Sequence, residues 1–132
     1  MAAKTPDSFA LVSPEGYNYI IRGKATAALK AGDPAVITST VPPFGVDCYI
    51  EKATSGEIDG LVLSDCVANG PVEVVVRGEC DGYSGLTPKS YLSVAAGKLD
   101  STAPGAGVAK QIKCISDHRI AVNCMFGAPA SA

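Results

Sequence analysis

The sequence predicts a small all-β domain. Short apolar runs rich in Val, Ile, Tyr and Leu recur along the chain, and the 14 Gly and 9 Pro fall mostly between them. The firmest run alternates strictly, with Val72, Val74 and Val76 on one side and Glu73 and Arg77 on the other. No amphipathic stretch of about ten residues or more reads as a helix.

Residues 1–19 read as an extended arm, because Pro6, Pro14 and Gly16 break any regular pattern. Within it Phe9, Ala10, Leu11 and Val12, with Pro14 just beyond, form a short apolar cluster suited to docking on the chain's own domain or on a partner. Residues 17–22 predict the first strand, and residues 25–30 have the propensity for a helical turn. Residues 35–40 predict a strand stopped by Pro42-Pro43. Further short strands come at 48–52 and 60–63, and Ser64-Asp65 opens a turn.

The strand at 72–77 is bounded by Asn69-Gly70-Pro71 and Gly78. Residues 91–94 and 98–99 predict a hairpin around Ala95-Ala96-Gly97. Residues 101–108 read as a loop. The last strands are 111–115, with Ile112 and Cys114 inward, and 120–126, with Ile120, Val122, Cys124 and Phe126 on one face. The expected organisation is an arm at 1–19, a β-domain at 20–126 and a flexible tail at 127–132.

The chain shows an internal echo. Val62-Leu63-Ser64-Asp65 returns as Cys114-Ile115-Ser116-Asp117, each followed by a strand, and Leu29 and Leu86 open related turn–strand units. This pattern suggests two β-units packed into one barrel or sandwich.

A chain of 132 residues fits one domain. At this size it buries roughly two-thirds of its unfolded surface and needs no metal or disulfide staple. Charged residues are only 18% of the chain, below the usual share of about 25%. Low charge favours association and suits a protein that buries surface in an assembly. The net charge is −2, without a run of Lys or Arg, so direct nucleic-acid binding is not expected. No apolar run nears the ~20 residues of a membrane span. The opening Met-Ala-Ala-Lys-Thr-Pro-Asp-Ser lacks the apolar core of an export signal, which implies synthesis in a cytoplasm without export by that route.

Chemistry-bearing residues are sparse. The five cysteines, Cys48, Cys66, Cys80, Cys114 and Cys124, have no CxxC spacing and read as small buried thiols. The single histidine, His118, lies beside Asp117, a pairing that strand geometry disfavours for catalysis, and a Cys/His metal site lacks material. Glu79 and Asp81, flanking Cys80, read as a solvated rim. There is no nucleophile elbow and no phosphate loop. The expectation is no catalytic residue, no metal and no cofactor.

Four segments in order carry a resemblance. Leu29-Lys-Ala-Gly-Asp-Pro-Ala-Val-Ile37 resembles the Leu-x-x-Gly-Asp-x-Val unit of the capsid decoration (cement) proteins of tailed bacteriophages. Gly60-Leu-Val-Leu-Ser-Asp65 followed by Val72-Glu-Val-Val-Val-Arg-Gly78 is similar to their central strand pair. Gly85-Leu-Thr-Pro-Lys-Ser-Tyr-Leu-Ser93, with Gly97-Lys-Leu99 and Ala103-Pro104, is similar to their third unit. Gln111-Ile-Lys-Cys-Ile115 and Arg119-Ile120 match the closing strands, and Lys89 stands where the family often has Gly in a Leu-Thr-x-Gly turn.

The resemblance implies a β-barrel or β-tulip-like domain with no catalysis and no cofactor. It implies homotrimers on the outer surface of the virion head, at threefold and quasi-threefold positions, clamping the major capsid protein against DNA pressure. It also implies an N-terminal arm, here Phe9, Ala10, Leu11, Val12 and Pro14, laid across the shell. Two other readings stay open: another phage structural β-domain (tail-tube or head-completion), and a small β-barrel ligand-binding module.

Overall fold

The computed structural model describes residues 2–125. Eleven strands form a single mixed sheet: β1 (Ala3–Lys4), β2 (Ala10–Leu11), β3 (Tyr19–Ala25), β4 (Pro34–Ile37), β5 (Tyr49–Lys52), β6 (Gly60–Val62), β7 (Pro71–Asp81), β8 (Tyr91–Ala95), β9 (Lys98–Asp100), β10 (Ile112–Cys114) and β11 (Arg119–Asn123). The only helical element among the described residues is one 3-10 turn, Glu15–Tyr17. The all-β class is therefore observed.

The spine is β7. Its first half lies between β3 and β6, and its second half lies between β2 and β11. This one strand splits the molecule into two units with the same antiparallel wiring, to which unit one adds a parallel β3–β5 pair and unit two a β1–β9 pair. In unit one, β3 pairs with β7, β7 with β6, β6 with β4 and β4 with β5. In unit two, the second half of β7 pairs with β11, β11 with β10, β10 with β8 and β8 with β9.

The correspondence holds residue by residue. Pro34 opposes Leu61 and Ala35 opposes Gly60, just as Tyr91 opposes Lys113 and Leu92 opposes Ile112. The turns that lead in also match. Gly32 N–H donates to Val62 O and Asp33 N–H to Lys30 O; Lys89 N–H donates to Cys114 O and Ser90 N–H to Thr87 O. The internal echo in the sequence is thus a repeat of structure. The two interiors correspond as well, through the buried pairs Leu29 and Leu86, Ala35 and Leu92, Ile50 and Leu99, Val62 and Cys114, and Val74 and Ile120.

The units differ on their outer faces. Leu61 and Val75 are fully buried and join the core of unit two, whereas their counterparts Lys113 and Ala121 reach solvent or lie near it. Unit one therefore encloses a small core of its own and lends its outer face to a larger one. Gln111 ties the two together. Its buried amide accepts from Ile58 N–H at 2.9 Å and donates to Ile58 O at 2.8 Å, mimicking a strand pair.

Several expectations need correction. No helix forms at 25–30, because a single turn is too short to nucleate alone and Leu29 is drawn into the core of unit one. The strand expected at 35–40 ends at Ile37, and the one expected at 17–22 begins at Tyr19 after the 3-10 turn. Gly78 does not end β7; a Cβ there would lie 2.8 Å from Leu11 Cδ1, so glycine lets the strand continue beneath the arm. The last strand ends at Asn123, and Phe126 with the expected tail at 127–132 lies outside the described residues.

No break in the sheet separates residues 2–19 from the rest of the domain. β1 pairs with β9, β2 pairs with β7, and Asp7 N–H and Val12 N–H donate to Gly82 O and Glu79 O, both at 2.8 Å. Gly82 has a φ of +107°, and a side chain there would collide with Ser8 O. Of the two seats the sequence leaves open for this segment, the single chain uses its own domain.

Candidate docking surface

The hairpin joining β4 and β5 carries the most exposed apolar side chains of the described residues. Ile37 faces Ile50 at its base, and Thr38 N–H donates to Tyr49 O. Pro43 O then accepts from Val46 N–H at 3.1 Å, with Gly45 at φ +93°. This is a turn whose third residue must tolerate positive φ, and it lifts Phe44 to the tip. Phe44 is 107% exposed and Val41 is 87% exposed. Pro42 and Pro43 fix φ at the two positions before Phe44.

The repeat shows that folding does not require this finger. The matching hairpin of unit two joins β8 to β9 through only Ala96 and Gly97, both at positive φ, the backbone of a type I′ turn. Unit one spends residues 38–48 on the same connection.

Beside the finger lies an open cleft of about 480 Å³. Ile20 and Ile37, both partly exposed, give it apolar walls, and the Arg22–Glu73 ion pair at 2.7 Å marks its rim. Cys48 lines it too, its thiol pushed up by burial and then by Asp47 and Asp59, and it donates to Arg22 O at 3.4 Å. One edge of the cleft is β3. Because β5 pairs with β3 only at Lys24 and Ala25, residues 19–22 have no strand on that side among the described residues.

The arm cluster divides. Phe9 packs edge-on against Tyr83 with centroids 6.3 Å apart, and Leu11 lies against the core of unit two. Ala10, Val12 and Pro14 remain exposed. The finger and the cleft were not singled out from the sequence. The available signal is Val-Pro-Pro-Phe-Gly: a proline-marked turn that carries apolar residues where turns usually carry polar ones.

The polar groups hold structure. His118 Nδ1 meets Asp81 Oδ1 at 2.8 Å across the sheet, and its other ring nitrogen faces Asp117 at 3.9 Å. Ser116 Oγ accepts from the backbone N–H groups of His118 and Arg119, shaping the turn. The Glu79 and Asp81 carboxylates are bridged by Arg119, at 4.0 and 3.1 Å. The Asp81 carboxyl is held down at about 2, first by His118, then by Gly82 N–H and Arg119. All five cysteines are free; burial pushes the Cys80 and Cys124 thiols up to about 12. Among the described residues no cluster of His, Cys, Asp and Glu could hold a metal ion.

The turn that the resemblance leaves open has a defined form. Lys89 sits at φ +74°, third in the Thr87–Ser90 turn after Pro88, and its counterpart Gly32 sits at +86°. Lysine thus occupies the left-handed conformation that glycine favours. No protein-family model matches the chain, and a search of curated proteins finds no match.

Proposed function

We propose that this chain is a structural protein of a tailed-phage head. It binds the outer surface of the expanded shell, as homotrimers at threefold and quasi-threefold positions, and clamps neighbouring major capsid protein subunits. The observation that carries the reading is the apolar finger, with Phe44 fully exposed on a connection that the repeat closes with two residues elsewhere. Val41 and Phe44 stand exposed together on one finger, and a contiguous exposed apolar patch marks a contact site. An aromatic anchor of this kind is what a contact surface uses.

Two further features support the assignment. The chain carries little charge, which suits a protein buried in an assembly. Positive φ at Lys89 is the backbone that the Leu-Thr-x-Gly resemblance requires at that position. Repetition around a threefold axis would then multiply modest contacts through effective concentration.

The test mixes purified protein with undecorated expanded heads and with unexpanded procapsids, and images both. The reading expects added density at threefold sites on expanded heads alone. Bare heads, or equal binding to procapsids, would overturn it.

A further inference from the structure

The repeat locates an unfilled strand position. In unit two, Glu79, Cys80 and Asp81 are flanked on the side away from β11 by the arm, with Leu11 opposite Cys80, Ala10 opposite Asp81 and Val12 N–H on Glu79 O. In unit one the same place beside β3 is the cleft. Ile21 opposes Val74 as Cys80 opposes Ile120, so Ile20, Ile21 and Arg22 stand where Glu79, Cys80 and Asp81 stand. The next glycine in each case marks where the open part ends: a Cβ on Gly82, just past β7, would strike the crossing arm, and a Cβ on Gly23 would lie 2.7 Å from Cys48 O, so the chain itself fills the seat from Gly23 onward and the open part lies beside Ile20–Arg22.

We infer that the cleft beside Ile20–Arg22 accepts an extended apolar strand from another protein, added antiparallel to β3. Among the described residues no strand pairs this edge, where Arg22 O has only the Cys48 thiol, and Ile20 and Ile37 give alternate side chains an apolar wall. The occupant's chemistry is given by the arm, whose Phe-Ala-Leu-Val run fills the matching place.

Each copy's own arm is already paired in unit two, so lending it to a neighbour would empty one seat to fill another. The finger cannot serve as the strand, because Pro42 and Pro43 lack N–H donors. With the arm and the finger set aside, we assign the seat to a foreign chain, and the second measurement below separates it from a second copy. On the decoration reading, on which this step rests, the foreign chain is the shell subunit.

The experiment uses the full chain and a synthetic peptide, Asp-Ser-Phe-Ala-Leu-Val-Ser-Pro, copied from residues 7–14. The amide signals of Ile20 and Arg22 are expected to shift and saturate. Ile37→Arg, at a partly exposed position, should keep the fold and weaken the peptide at least about tenfold. Shifts confined to Glu79–Asp81, where the peptide would replace the arm, or no saturable shift, would overturn the inference.

A second measurement tracks alkylation of Cys48 on decorated heads. Protection is expected there and not in free protein at any concentration. Protection that grows with the concentration of free protein would make a second copy the occupant, against the inference. If the protein decorates heads while Cys48 reacts as fast as in free protein, the strand inference fails and the decoration reading stands. If heads stay bare while the peptide saturates the cleft, the decoration reading fails and the strand site stands.

Discussion

Units one and two share one antiparallel pairing order, apart from the parallel β3–β5 pair of unit one, and spend their surfaces differently. Unit two turns charged and small residues, Lys113 and Ala121, outward, closes its hairpin in two residues and has its open edge covered by residues 2–12. Unit one hides the matching positions, Leu61 and Val75, inside the molecule, lengthens the hairpin into a finger and, among the described residues, leaves the edge of β3 at 19–22 without a strand. What the two have in common is what folding needs. What unit one has alone is therefore the place to look for function.

The largest test of this comparison removes residues 1–12. The bare seat of unit one is tolerated, so unit two should also keep its strands but lose stability on the order of 5 kcal/mol, from the packing of Phe9 and Leu11 and the lost strand pairs. Hydrogen exchange should accelerate at Glu79–Asp81 and at β9, while Ala35 and Leu61 stay protected. Unchanged stability would mean that the arm contributes nothing to the fold.

Next in size is Gln111→Ala, which leaves the buried Ile58 N–H and C=O unpaired and should cost about 2–4 kcal/mol in denaturant unfolding. The paired turns give a smaller and opposite-signed test. Lys89→Gly should stabilise by about 1 kcal/mol, because lysine there holds a conformation that glycine adopts freely. Gly32→Ala should destabilise, since a Cβ would also lie 2.7 Å from Pro6 Cγ. Both are read from thermal midpoints, and equal effects of the same sign would break the equivalence.

The smallest effect is pH-dependent and specific to unit two. Asp81 has Arg22 as its counterpart, and in unit one the carboxylate of the matching cross-strand pair sits on the opposite strand, at Glu73, so only unit two has a carboxylate at this position. Its folded value, about 2, lies below its ordinary 3.8. The stabilisation is complete above 3.8 and is lost as pH falls toward 2. Asp81→Asn should therefore flatten the acid limb of the stability curve in that window and leave an Arg22→Gln variant's limb like the wild type's.

Much of the fold was legible because local chemistry and tertiary structure agree in it. Alternation marked Val72, Val74 and Val76, and the Ser-Asp turns and paired leucines marked the repeat. The length of β7 was not legible, since Gly78 reads as a stop until Leu11 is seen lying over it. The arm's pairing was hidden because β1 and β2 are two residues each, too short for any periodicity. The cleft has no sequence signal at all: it is an edge left unpaired by strands distant in the chain. The finger left a trace in Pro42-Pro43-Phe44, which reads as a strand stop until its counterpart is known to close with Ala96-Gly97.

Unit one's added surface is what we propose meets the shell. The direct measurement compares wild type with Phe44→Ser for binding to undecorated expanded heads, with the melting temperature of each recorded alongside. The melting temperature should stay unchanged, because Phe44 packs on nothing among the described residues, and binding should weaken by about tenfold or more. Equal binding by the two proteins, or a variant that loses its fold, would contradict the proposal.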